Sequence, residues 1–488
     1  MATTLSVEAT ESPAWARPAG YGLLGLLALV MAMTMPVLFV LILLVLILVS
    51  MWVHSPRDGT TIITFALLPL MLVPANFVIE ALGAAGTPPT IIGLGAMWWW
   101  LQSKIVPNSG LARSDQPIRW ALLALWLGLM TGYATAYTRP LSGFEQRSTD
   151  RHILLYLAMT GLCLLAADSI TTRHRLDTLL RRIVGLTTVL SMVGIFQFLF
   201  SFDISTALQP PGFVPLDETF SGFGIERNQF TRVAATAGHP IEFSAVVAFT
   251  IPLALHFAFY DTHRSTLARW GPLVILGFAL PMSVSRTGFL ALAVVAAVML
   301  PTWDRQKQVR VGGAAIAGSL AITVIVPGLL GLIRDSFFLG STDNSITGRT
   351  NDYALVSRLI DERPLFGRGF GTFIPVDYFV LDNQWLLFIL EIGIFGTLLF
   401  IAFVITGICL ARGARRRAVD PSTRHLGQAL TASIACNVAT FITYDVMSFR
   451  IAATLLFISI GASAALWRLV REERGELAAP RRRRFARL

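Results

Sequence analysis

The sequence is poor in charge. Only 14% of its 488 residues are Asp, Glu, Lys or Arg, where a soluble domain carries about 25%. Hydrophobic residues make up 54% and mean hydropathy is +0.65. That excludes an ordinary soluble enzyme and implies a polytopic membrane protein. Cysteine is also scarce. Cys163, Cys409 and Cys436 all fall inside apolar segments, so no disulfide framework is expected. The 7 histidines are scattered, without His-x3-His, and neither Cys-x2-Cys nor Asp-x-Asp occurs. Neither a dedicated metal site nor a cofactor is expected. No internal repeat is visible, so nothing supports an inverted-repeat transporter. Residues 1–20 are polar and carry Glu8 and Glu11 before the first apolar run, which argues against a cleavable signal peptide.

Apolar runs dominate instead. They lie at about 21–34, 36–53, 60–80, 88–102, 119–138, 152–170, 182–202, 240–260, 269–284, 287–301, 311–333, 384–411, 427–445 and 449–468. Each approaches the length that crosses a bilayer core. The expected fold is an all-α polytopic membrane protein of about 12–14 transmembrane helices. The formal charge of +10 does not point to nucleic acid, because the basic residues follow membrane sidedness. The short segments 172–182, 261–269 and 412–426 and the tail RRRRFARL hold the Lys and Arg excess. An even number of spans puts all of them, and both termini, in the cytoplasm. The organisation then reads as a cytoplasmic tail (1–20) and a helical region (21–333) with an outer loop at 203–239. An extracytoplasmic loop domain (334–383), C-terminal helices (384–468) and a basic cytoplasmic tail (469–488) follow. The tail suits a disordered extension held near anionic membrane lipid.

The segment 334–383 stands out. It holds five arginines and seven carboxylates between two apolar runs, and a loop that long inside a compact protein usually has a function. Tyr353, Val356, Leu359 and Ile360 recur at helical spacing, so 349–362 reads as a short amphipathic helix stopped by Pro364. Gly367-Arg368-Gly369-Phe370-Gly371 follows, a turn that lets backbone approach a ligand closely. The plainer reading is a charged loop packed on the membrane surface.

Three constellations carry chemistry. Arg286, in Ser285-Arg286-Thr287-Gly288, sits between two apolar runs. It reads either as a phosphate clamp, since a guanidinium matches phosphate oxygens as a fork, or as an arginine snorkelling to the surface. Arg232, His239 and Glu242 lie where an outer loop enters a span, with Pro240 placed to open the helix. Glu242 there is either functional or a structural carboxylate at a helix start. Arg349, Arg358, Arg363 and Arg368 precede Asp382-Asn383 at the start of the next span, and Glu391 lies about two turns in. Glu391 is a functional candidate by position, or simply a partner for a nearby arginine. Arginines and carboxylates gathered at one face suit an anionic, lipid-anchored substrate such as a polyprenyl diphosphate sugar. Guanidiniums would neutralise the leaving diphosphate, and a carboxylate or histidine would take a proton from an incoming hydroxyl.

Three blocks resemble the O-antigen ligase and polymerase family of bacterial membrane proteins. They are Arg232 followed by GHPIEFS, then SRTGFLAL (285–292), then GRTNDYALVSRLIDERPLFGRGFGTF (348–373) leading to DNQWLLFILEIGIFG (382–396). The resemblance implies a helical membrane glycosyltransferase similar in shape to the C-type class. It implies transfer of a glycan from undecaprenyl diphosphate to an acceptor at the outer face of the bacterial cytoplasmic membrane, without a metal and with inversion. It implies Arg232, Arg286 and Arg349 as diphosphate ligands, supported by Glu242, Arg368, Asn383 and Glu391. Its expected partners are the lipid-linked donor, a glycan or lipid acceptor and membrane lipids, with cell-envelope assembly proteins a further candidate. One departure concerns the acceptor-activating base. Many ligases have His-Asn where this chain has Asp382-Asn383. An unperturbed aspartate, near pKa 3.9, is a weak base unless burial raises it, so Asp382 and His239 both stand as candidates. A transporter or flippase, and a scaffold in a wall-assembly complex, are the competing readings.

Overall fold

Short polar side chains mark where many of the helices begin. Ser142 accepts from the Glu145 amide while Glu145 reaches back to the Ser142 amide, a reciprocal capping box. Thr172, Ser265, Asp304 and Asp420 each cap a following helix through the side-chain oxygen. Prolines at the first turn open others, as at Pro117, Pro240 and Pro421.

The structure is a computed structural model. It describes residues 59–79, 86–105, 116–201, 230–329, 355–375 and 377–476, together with 111, 203, 213–215, 226–227, 331 and 353. The apolar runs 21–34 and 36–53, most of the loop 203–239, Arg349 and the end of the basic tail lie outside the described residues. The helices are α1 (Gly59–Leu72), α2 (Pro88–Ile105), α3 (Pro117–Ala136), α4 (Gly143–Ser169), α5 (Arg173–Phe200) and α6 (Pro240–Tyr260). They continue as α7 (Thr266–Met282), α8 (Arg286–Met299), α9 (Arg305–Ile325), α10 (Gln384–Arg417), α11 (Pro421–Ala439) and α12 (Arg450–Glu473). Residues 355–362 are helical, as their spacing predicts. Two small antiparallel ladders join β1 (Phe77–Ile79) to β2 (Phe213–Pro215) and β3 (Glu226–Arg227) to β4 (Phe230–Thr231).

This is an all-α polytopic membrane protein. Among the described residues, six helices (α4, α5, α6, α9, α10 and α12) are long and apolar enough to cross a bilayer, and α1, α7 and α8 are shorter apolar helices. Burial ranks them. The apolar windows of α12 and α6 are 94% and 89% buried, while that of α9 is 6% buried. So α6 and α12 form the centre, and α9 rides on the rim. Around α12 pack α4 and α10; around α6 pack α7, α8 and α11. Small residues bring helices close. A Cβ on Gly128 would lie 2.9 Å from the Gly396 Cα, between α3 and α10. One on Gly161 would run into the Gly93 carbonyl, between α4 and α2.

Two apolar runs are not helical throughout. The run read over 60–80 leaves the helix at Leu72 and continues as β1, because Val78 and its neighbours pair with the strand at Phe213–Pro215. The run over 427–445 stops as an α-helix at Ala439 and passes through short 3-10 turns to Ser448.

Candidate active site

The candidate site residues that the structure describes gather at one end of the bundle, where α4, α6, α8, α10 and α12 begin; Arg349 lies outside the described residues. Two turns there are held in unusual backbone conformations. Ala235 has φ 54° and Val284 has φ 48°. A β-branched residue in the left-handed region is a real outlier, and strain of this kind collects at functional sites. The first turn is pinned by Gln197, whose Oε1 accepts from the Ala235 amide at 2.7 Å. The second lies in Ser283–Ser285, the connection between α7 and α8. Ser283 there is anchored by its amide and its hydroxyl, both donating to the Leu280 carbonyl.

Those two turns meet. Arg232 Nε donates to the Ser283 carbonyl at 3.5 Å, three residues ahead of Arg286. The start of α8 is in turn pressed against the start of α6, since a Cβ on Gly288 would lie 2.7 Å from the Ser244 Cβ. Arg232 and Arg286 therefore belong to one neighbourhood, beside the first turn of α6.

His239 caps α6. Its Nδ1 accepts from the Ile241 amide at 3.1 Å, and its ring lies 6.2 Å from Phe449. Burial, with the Arg232 charge adding, pushes its pKa down to about 4. The ring is neutral at ordinary pH. With Nδ1 engaged as acceptor, its proton sits on Nε2, which makes that atom a donor.

Glu242 is fully buried. Its Oε2 accepts from the Gly238 amide at 2.9 Å, and its Oε1 from the Ile451 and Ala452 amides at 2.8 and 3.3 Å. It ties the beginning of α6 to the beginning of α12, which is the structural alternative for this carboxylate. Asn383 is likewise a cap: its Oδ1 accepts from the Trp385 and Leu386 amides. Arg368 hydrogen-bonds the Tyr378 hydroxyl and lies over that ring at 4.8 Å.

The Gly367–Gly371 turn approaches protein rather than ligand. Gly393 breaks α10 with φ 68° and ψ −178°, leaving helix groups on both sides without intrahelical partners. The loop fills them. Ile394 and Phe395 donate to the carbonyls of Pro364 and Leu365, and Arg368 and Gly369 donate to those of Leu390 and Glu391, four hydrogen bonds of 2.8–3.1 Å. The Glu391 side chain completes the joint by accepting from the Phe373 amide at 3.2 Å. This joint accounts for most of the block that runs from Pro364 to Gly396.

Asp382 is half-buried, just before α10. Gln384 Oε1 accepts from the Met447 amide at 2.8 Å, which docks the start of α10 on the turn between α11 and α12. That turn brings Asp445, a residue the sequence reading missed. Burial pushes the Asp445 carboxyl up to about 7, and the negative charge of Asp382 adds to the shift. The signal was available: a carboxylate at the edge of an apolar run is a functional candidate by default.

Residues 271–401 match the family model described as O-antigen ligase. The match covers about a quarter of the chain. The O-antigen ligase match starts within α7 and ends within α10, so it contains Arg286, Arg349, Arg368, Asp382, Asn383 and Glu391. Arg232, His239, Glu242 and Asp445 lie outside the matched stretch and join it only through the contacts above. No curated protein matches the chain.

Proposed function

We propose that the protein is a glycosyltransferase that moves a glycan from a polyprenyl diphosphate carrier to an acceptor hydroxyl. The work is done at the extracytoplasmic face of the bacterial cytoplasmic membrane, where the site end of the bundle opens. The observation that carries this reading is the approach of the Arg232 turn to the Arg286 turn inside a chain whose residues 271–401 match the O-antigen ligase family model. Two guanidiniums in one neighbourhood suit a diphosphate leaving group and need no metal for its charge, and Arg349 is the third ligand that the resemblance implies.

In the step itself, the acceptor oxygen forms a bond to the anomeric carbon as the bond to the diphosphate oxygen breaks. Attack from the opposite face inverts that carbon. The acceptor proton passes to Asp382, with Asp445 beside it, and the arginines take up the charge on the departing diphosphate. His239 suits the role of donor better than base, because its Nδ1 is occupied and its Nε2 carries the proton.

The test is transfer by the purified protein from a lipid-linked glycan donor. Arg286→Ala is expected to slow transfer by about 10²–10³-fold, the usual cost of one lost donor to a developing oxyanion. Full transfer by Arg286→Ala at normal folded yield would remove the clamp. Glycan mass analysis after gene deletion separates the two family activities: accumulated carrier-bound glycan indicates a ligase, and unpolymerised short units indicate a polymerase.

A further inference from the structure

Arg151 has no role in the reading above. It lies in α4. Its Nε is shut off from solvent and has no hydrogen-bond partner. Among the described residues no carboxylate, carbonyl or hydroxyl meets its guanidinium. A guanidinium that snorkels keeps its head in water; this one is partly sealed. A cation with part of its head held out of water is disfavoured unless something pairs with it.

The packing of α4 on α12 shows what stands beside it. Tyr156 meets Phe457 edge to face, with centroids 6.1 Å apart. Deeper in, the Gly461 Cα sits against the backbone of Cys163, and Arg468 donates to the Ile170 carbonyl at 2.5 Å. The two helices run parallel, so the same offset carried outward sets Arg450 level with the turn that holds Arg151. Their charges repel.

Arg450 is the first residue of α12, at the positive end of that helix's dipole, where a cation is disfavoured. It donates through Nη1 to the Ala75 carbonyl at 2.8 Å. A carboxylate whose charge acts on it is Glu242, whose two oxygens already accept three backbone amides. Glu242 is thus taken up by main-chain amides, and among the described residues no carboxylate hydrogen-bonds Arg151 or Arg450.

We propose that Arg151 and Arg450 form an oxyanion-binding subsite, additional to Arg232 and Arg286, that receives a phosphate or carboxylate group of the substrate. The identity of that substrate rests on the transferase reading; the subsite itself does not. A planar fork of donors suits either oxyanion. The group comes either from the diphosphate of the lipid carrier or from an acidic sugar of the glycan or acceptor.

The experiment uses the full chain in nanodiscs of phosphatidylcholine, titrated with farnesyl diphosphate and, separately, with an oligogalacturonate. Arg151→Gln is expected to weaken one of them by about tenfold or more, and Arg151→Lys to restore part of it. Loss on farnesyl diphosphate assigns the subsite to the carrier. Loss on the oligogalacturonate alone assigns it to an acidic sugar. The thermal midpoint without probe should stay level or rise in Arg151→Gln, since an unpaired buried charge is removed; a purely structural arginine would lower it. Equal binding of both probes by Arg151→Gln and wild type overturns the proposal, as does wild type binding neither. If Arg232→Ala and Arg286→Ala bind farnesyl diphosphate normally while Arg151→Gln loses the oligogalacturonate, the clamp reading fails and the subsite stands.

Discussion

Gly367 and Gly393 lie backbone to backbone, both with positive φ, at 75° and 68°. A Cβ on Gly367 would fall 2.6 Å from the Gly393 nitrogen, and one on Gly393 2.5 Å from the Phe366 nitrogen. Each glycine is therefore required twice, once for its dihedral and once for the space. Gly393→Ala is expected to destabilise by about 1–3 kcal/mol from the dihedral alone, and further from the backbone collision. Thermal unfolding in detergent reads this out. A variant that melts with wild type would mean that the loop does not seat in the break of α10.

The Val284 turn carries strain of the opposite kind, since the residue there is one that dislikes its conformation. Val284→Gly should leave the unfolding free energy within about 1 kcal/mol of wild type, because relief of that strain is set against the loss of a buried valine side chain and the extra freedom of glycine when unfolded. The same change loosens the approach to Arg286, so transfer should fall while the melting temperature stays close to that of wild type. A fall in both would show that Val284 matters chiefly through its packing.

His239 separates capping from proton transfer. Asparagine is a good helix cap and alanine is not. His239→Asn should keep the fold and lose only the Nε2 donor, whereas His239→Ala should lose about 1 kcal/mol of stability. Because the ring is neutral down to about 4, neither variant should change the shape of the rate profile near neutrality. A wild-type profile whose neutral limb vanishes in His239→Asn would restore the histidine as base.

Asp445 should set that limb instead. Its carboxyl, ordinarily near 3.9, titrates at about 7 in the fold, chiefly through burial. The native state then holds a proton that the unfolded chain has released. This contribution to stability is complete at acid pH and is lost as pH rises to about 7. Transfer should move the other way, climbing as the carboxylate forms beside Asp382. Melting curves and rates across this range test both slopes, and Asp445→Asn should flatten each. Unaltered slopes in that variant would place the titration elsewhere.

At the opposite end of the bundle, Asp168 is fully buried and accepts from Trp100 at 2.7 Å, Gln116 at 3.0 Å and Arg119 at 2.8 Å, with Lys104 at 3.4 Å. Asp168→Ala leaves these donors facing one another. A loss of about 3 kcal/mol is expected, toward the low end for breaking a buried pair, because both cations keep some water. Residual folded protein should bind donor normally, and a specific loss of donor binding would contradict the separation of the two ends.

Local rules made much of this readable. Pro240 opened α6 and Pro364 closed the loop helix where the sequence placed them, and Asp382-Asn383 stands at the threshold of α10. The structural alternative for Glu242 describes what its oxygens bond in the fold, whereas Glu391, read as a partner for an arginine, accepts the Phe373 amide instead. What could not be read was contact between distant parts. Arg151 and Arg450 come from opposite thirds of the chain, and only the parallel packing of α4 on α12 sets them level. Asp445 carried no motif, and it comes beside Asp382 through long-range packing that includes the hydrogen bond from the Met447 amide to Gln384 Oε1. The strand at Phe77–Ile79 looks like the tail of a span because a buried strand and a buried helix segment share the same apolar composition.

The joint at Gly393 also limits how the mouth can open. Residues 364–369 are riveted to α10 by four main-chain bonds, so that part of the rim is a fixed sill and not a door. On the proposed function, a long-tailed carrier would slide in from the side of the bilayer, past this unmoving edge.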